Sequence, residues 1–277
     1  MLKQLVLSFV FLLPVAGQEV AGSAEVVEFS EGKSSGRLMI APSMAGVLPH
    51  VAIGGPWKTF LQVMNAEESA SNQIRLNFFT SAGTPLVVGL SGNIANSGQY
   101  GSSWNITVVP RGILFLEVLP ISGSVIQTGW IKLISDEQKG EMKMAASAIF
   151  RAVVPGRPDM EAVVPLEDNT MDRTLVAFDN TNGFTTSMAL VNPWDYKSCD
   201  LIVDVISSDG TLLGTYRETL SPSHHIAFET NSRWPVSAGE KGTLRIRGAT
   251  PGSIYSALAI LFNPSGSITT APVYQIY

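Results

Sequence analysis

A single cysteine in 277 residues excludes a disulfide framework and any CxxC-type zinc or redox site. Only three histidines are present, so catalysis or metal binding through imidazole has few candidates. Charged residues make up 15% of the chain and the formal net charge is -5, which argues against a polyanion-binding surface and so against nucleic acid as a partner. After the first residues no apolar run approaches the ~20 needed to span a bilayer as a helix, and amphipathic helical periodicity is scarce throughout. What is abundant is apolar side chains, 45% of the chain, with 25 glycines and 16 prolines, too apolar for disorder and too aperiodic for collagen.

Residues Met1 to Gly17 carry one early cation, Lys3, an apolar run from Leu5 to Leu13, and small residues at Val15-Ala16-Gly17. This is the grammar of a secretory signal peptide, and it predicts a secreted, extracellular or periplasmic protein with no transmembrane segment after the signal. Residues 18–36 are small and polar and read as a flexible leader.

Beyond them, short β-branched and aromatic runs recur between Gly, Pro, Asn and Ser, predicting a nearly all-β chain. A shift of 127 residues lays Trp57 to Leu86 on Phe184 to Leu213 without a gap. Thr59/Thr186, Asn65/Asn192, Ser71/Ser198, Ser81/Ser208, Gly83/Gly210, Thr84/Thr211 and Leu86/Leu213 are then identical. The correspondence resumes at a shift of 112 with Pro110/Pro222, Leu116/Phe228, Glu117/Glu229 and Ala148-Ile149-Phe150 against Ile260-Leu261-Phe262. The chain reads as an internal duplication. Each copy, of ~100 residues, has the strand count of an immunoglobulin-like or fibronectin-like sandwich, and two separate cores are favoured over one closed barrel. The expected boundaries are 37–155 and 156–277, joined at Val154-Pro155-Gly156-Arg157-Pro158-Asp159. Alternation directs Leu61, Val63, Ile74, Leu76 and Phe78 inward in the first copy, and Met188, Leu190, Leu201, Val203 and Val205 in the second.

The stretches Val154 to Leu166, Phe178 to Phe184 (F-D-N-T-N-G-F), Ala189 to Pro193 (A-L-V-N-P) and Leu261 to Gly266 (L-F-N-P-S-G) resemble tandem immunoglobulin-like β-sandwich modules of exported proteins from soil bacteria, acidobacteria in particular. The resemblance implies the fold and an exported location, and brings no catalytic residues. The first copy departs from it, with Ile53-Gly54-Gly55-Pro56-Trp57 in place of the D-N-T-N-G loop.

In that loop Asp179, Thr181 and Asn182 place oxygen ligands before Gly183, a pattern compatible with calcium or simply with a tight turn, and Asp168, Asp172 and Asp195 lie nearby in sequence. Trp194 and Tyr196 in N-P-W-D-Y form the best exposed aromatic pair for a sugar. His224-His225 follow Ser221, but neighbours on a strand point to opposite faces and no G-x-S-x-G elbow is present. Glu117 and Glu229 fall in separate sandwiches, so they cannot flank one glycosidic bond. The expected function is a non-catalytic surface or matrix interaction module, adhesive or structural, whose partner is an extracellular protein or polysaccharide. The alternative is a carbohydrate-binding protein using Trp194 and Tyr196, with calcium at Asp179 as its only cofactor option.

Overall fold

The computed structural model describes residues 43–135, 143–156, 158–167 and 171–276. The proposed signal at 1–17, the leader at 18–36 and Asp168 lie outside the described residues. The first half of the chain supplies β1 (Ser43–Ile53), β2 (Trp57–Asn65), β3 (Asn72–Thr80), β4 (Val88–Gly92), β5 (Tyr100–Gly101), β6 (Ser103–Val108), β7 (Ile113–Leu119), β8 (Gln127–Ser135), β9 (Met144–Ala152) and β10 (Met160–Pro165). The second supplies β11 (Arg173–Asp179), β12 (Thr185–Val191), β13 (Cys199–Ser207), β14 (Leu212–Leu220), β15 (His225–Glu229), a single helical turn α1 (Thr230–Arg233), β16 (Lys241–Gly248), β17 (Ser256–Phe262), β18 (Ile268–Ala271) and β19 (Val273–Gln275). The described chain is therefore all-β, as expected, and every strand pairing is antiparallel.

Four sheets result, ordered β1-β8-β3-β6, β10-β9-β2-β7-β4-β5, β14-β13-β16-β11-β19 and β15-β12-β17-β18. The first two enclose one core and the last two another. All ten side chains expected to face inward are buried in these cores. Each fully buried leucine, such as Leu61 or Leu76, contributes roughly 1.5–3 kcal/mol over its exposed state.

The halves repeat the same backbone contacts. Asn65 Nδ2 donates to the carbonyls of Ala70, Val108 and Val109; Asn192 Nδ2 donates to those of Lys197, Leu220 and Ser221. Thr59 Oγ1 brackets the backbone of Ala52 as Thr186 Oγ1 brackets that of Asp179. Arg111 and Ser223 share a left-handed backbone, φ 56 and 57. Gly129 and Gly242 each stand where an added Cβ would lie 2.0 Å from a facing carbonyl oxygen, of Phe79 and of Ile206.

Two expectations need correction. Val154 to Asp159 is not the join between halves. It closes a hairpin in which Met160–Pro165 pairs along its length with Met144–Ala152, so this strand belongs to the six-stranded sheet of the first half. A Pro/Gly turn between apolar strands serves equally as linker or hairpin. The crossing comes after Leu166, where Glu167 bridges to Val47 and its carboxylate accepts from Ser256 Oγ (2.7 Å) and the Ala257 amide (3.2 Å). The second correction is a slip of one residue. Phe60 faces Ile149 and Ser187 faces Ile260, so Ala148-Ile149-Phe150 corresponds to Ala259-Ile260-Leu261. One residue exchanges the two faces of a strand, and Phe262 is not the counterpart of Phe150.

Residues Pro42–Tyr277 form one compact unit, and the halves meet along a buried seam. Trp130, fully buried, stacks on Phe79 at 4.6 Å and donates its indole N–H to the carbonyl of Ser223 at 2.9 Å. Strand β12 is buried on both faces: Met188 and Leu190 join the second core, while Ala189 joins the first and Val191 packs with Val47 and Trp130.

Candidate functional site

Trp194 and Tyr196 do come together. Asn192 Oδ1 accepts the Trp194 amide at 3.1 Å and so fixes the loop after β12. The two rings lie 5.5 Å apart but are inclined at 56°, and Lys197 Nζ sits 5.5 Å from the first and 6.0 Å from the second. The same ammonium donates to Gly252 O at 2.7 Å. Tyr196 is 68% exposed, whereas Trp194 is half-buried with its indole N–H enclosed and unpartnered. A sugar needs a free ring face, and here the ammonium lies over one face of each ring.

Asp179, Thr181 and Asn182 form a tight turn. Asp179 Oδ1 accepts both the amide (2.9 Å) and the hydroxyl (2.7 Å) of Thr181, and Asn182 takes the left-handed conformation, φ 51. The buried member of the loop is Asn180, whose side chain ties Thr186, Thr230 and Ser237 together. Among the described residues no three His, Cys, Asp or Glu side chains converge as metal ligands.

His224 and His225 separate as strand alternation requires. His224 Nδ1 is enclosed without a partner. His225 enters the seam, where Nδ1 meets Ser81 Oγ at 3.0 Å and Nε2 meets His50 Nδ1 at 2.9 Å. Burial holds the His50 imidazole down at about 4, and burial together with the neighbouring His50 charge holds His225 well below its usual value. Both rings are therefore neutral at pH 7. Ser81 Oγ also contacts Thr128 Oγ1, and the chain ends on His50, edge-on to Phe150, with no carboxylate in it. The sequence reading missed this cluster because its members are separated by 144 and 175 residues.

Glu117 lies 3.7 Å from Lys58, and the half-buried Glu229 has its carboxyl raised by burial. Cys199 is free and buried, its thiol pushed up to about 12 mainly by burial. Trp57, Trp104 and Trp130 pack into the cores or the seam, and Trp234 closes the second core with its N–H on Glu218.

The outer face of the six-stranded sheet exposes apolar side chains beside the Lys58–Glu117 and Arg151–Glu161 ion pairs. Across the strands, Phe115 neighbours Gln62, Ile113 neighbours Met64, and Phe60 neighbours Ile149, which neighbours Val163. Phe115 is 62% exposed, Val163 49% and Ile113 43%. The register gives this face a counterpart in the second half: Ser187, Ala189, Val191, Ala227 and His225 stand where Phe60, Gln62, Met64, Phe115 and Ile113 stand. There the face is covered, by the first half of the chain. The signal in the sequence was the run I-L-F-L-E-V-L, apolar at both parities, which in a strand marks two faces to be covered.

No protein-family model matches the chain, and no curated protein matches it. Among the described residues no helix is long and apolar enough to cross a membrane.

Proposed function

We propose that this chain is an exported, non-catalytic interaction module made of two immunoglobulin-like sandwiches that arose by duplication, and that it binds an extracellular protein through the outer face of the six-stranded sheet. The observation that carries this reading is the difference between the two equivalent faces. In the second half the face bears Ser187, Ala189, Val191, Ala227 and His225 and is buried against a neighbouring sandwich; in the first, Ile113 and Phe115 are exposed and Phe60 is half-buried beneath the Arg151 guanidinium. An exposed aromatic such as Phe115 beside apolar neighbours marks a contact site, where the ring on burial anchors the partner. Duplication is supported by the repeated clasps at Asn65 and Asn192 and the repeated brackets at Thr59 and Thr186. Export is supported by the residue grammar of Met1 to Gly17 alone.

The carbohydrate reading through Trp194 and Tyr196 is the less favoured, because Lys197 lies over both rings. A photoreactive phenylalanine analogue at position 115 is expected to give a discrete protein adduct in the producing cell, and the same analogue at exposed Leu212 is not. Equal labelling at the two positions would remove the proposed interface.

A further inference from the structure

The outer face of the five-stranded sheet gathers arginines that are far apart in sequence. Arg247 on β16 lies directly opposite Arg173 on β11, and on its other side opposite Ile202 of β13, which itself faces Arg217 of β14. The three guanidinium groups thus stand in one row across four strands, a span of roughly 14 Å at the usual strand spacing. Their outward direction follows from alternation, since Val176, Val203, Leu244 and Ile246 on the same strands fill the second core.

Among the described residues none of Arg173, Arg217 and Arg247 makes an ion pair. The next arginine does: Arg245 holds Asp204 at 2.8 Å. The other carboxylate on this face of β13, Asp200, accepts a hydrogen bond from Thr219 Oγ1 at 2.6 Å. Four arginines and Lys241 therefore stand against Asp204, Asp200 and, opposite Lys241 at the strand end, Asp179, an excess of positive charge in a chain whose net charge is -5. Like charges directly opposite on neighbouring strands oppose pairing, and an anion lying across the row relieves that repulsion. Beside the row, Tyr274 of β19 pairs with Leu175 and is 59% exposed.

We propose that this face binds a linear anionic polysaccharide, with Arg173, Arg217 and Arg247 forking its acidic groups and Ile202 and Tyr274 meeting its sugar rings. The row is spread over four strands rather than converging on one point, so it suits an extended ligand with repeated charges. Arginine suits carboxylate or sulfate because its planar fork matches their geometry. Duplex DNA draws on a long-range positive field that a chain of net negative charge does not supply. The composition-based exclusion of polyanions averages over the whole molecule and so misses a local row. The inference is independent of the interface proposed on the other half.

The test is retention of the purified full chain on immobilised polygalacturonate over a salt series. Retention that falls with salt is expected, with dextran holding nothing. Arg217→Gln combined with Arg247→Gln is expected to weaken binding at least tenfold at an unchanged melting temperature, while Arg75→Gln combined with Arg111→Gln, which removes the same charge elsewhere, leaves it within twofold. No retention of the folded wild type at 50 mM salt overturns the proposal, as does equal weakening by both pairs. Duplex DNA or anionic phosphatidylglycerol vesicles bound as tightly as polygalacturonate overturn its assignment to a polysaccharide.

Discussion

Asn192→Ala is expected to lower the melting temperature by about 10 °C, and Asn65→Ala by at least as much. Each carboxamide is buried and holds three backbone carbonyls, at 2.7–3.1 Å for Asn192 and 2.8–3.2 Å for Asn65. Alanine leaves those acceptors without donors, and each unsatisfied buried group costs about 1–3 kcal/mol before water or relaxation repairs it. A total of about 3–4 kcal/mol, at about 2–4 °C per kcal/mol for a chain of this size, gives the stated shift. Asn65 carries more because its Oδ1 also accepts from Asn72 Nδ2 at 2.9 Å, and the position equivalent to Asn72 in the second half is Cys199, which makes no such bond. Thermal unfolding followed by circular dichroism reads both variants. A shift under 2 °C in either would show that the clasp does not hold the loops it joins.

Acidification from pH 7 to about 4 is expected to cost about 3 kcal/mol of stability, and the part lost above pH 5 precedes the titration of most carboxylates. The unfolded chain binds protons on His50 and His225 near pH 6.5, whereas the folded chain keeps both rings neutral until pH reaches about 4 at His50. Between those values the unfolded state holds more protons, so stability rises with pH and falls with acid, by about 1.4 kcal/mol per pH unit for each histidine involved. Glu229, raised by burial, has the opposite sign and offsets part of the loss. The pair sits in the seam, with Ser81 on one side and Phe150 on the other, so doubly protonated rings would set N–H against N–H inside it. Urea midpoints at pH 7.0, 6.0 and 5.0 measure the slope. His50→Gln is expected to reduce it by about half, and a wild-type midpoint independent of pH over this range would show that the imidazoles are not held neutral.

Much of the architecture was legible because a strand repeats every two residues. Alternation identified the inward side of β2, β3, β12 and β13, and Gly83 and Gly210, identical at the fixed shift, both adopt the positive φ of a tight turn. The pairing of Asn65 with Asn192 was visible as identity at a fixed shift, although the clasp each forms was not. Period two names a side without naming the strand that lies beside it. That is why Met160–Pro165 was assigned to the wrong neighbour and why the final strands were aligned one residue out of step.

Composition and alternation thus suffice for the all-β class and for the identity of the core side chains, since these depend on near neighbours along the chain. The covering of β12 on both faces, the His50–His225 contact, the exposed side of the six-stranded sheet and the arginine row were decided by tertiary structure. Each joins residues from strands that become neighbours only when register and sheet order are set, and a pattern that repeats every two residues carries no record of either.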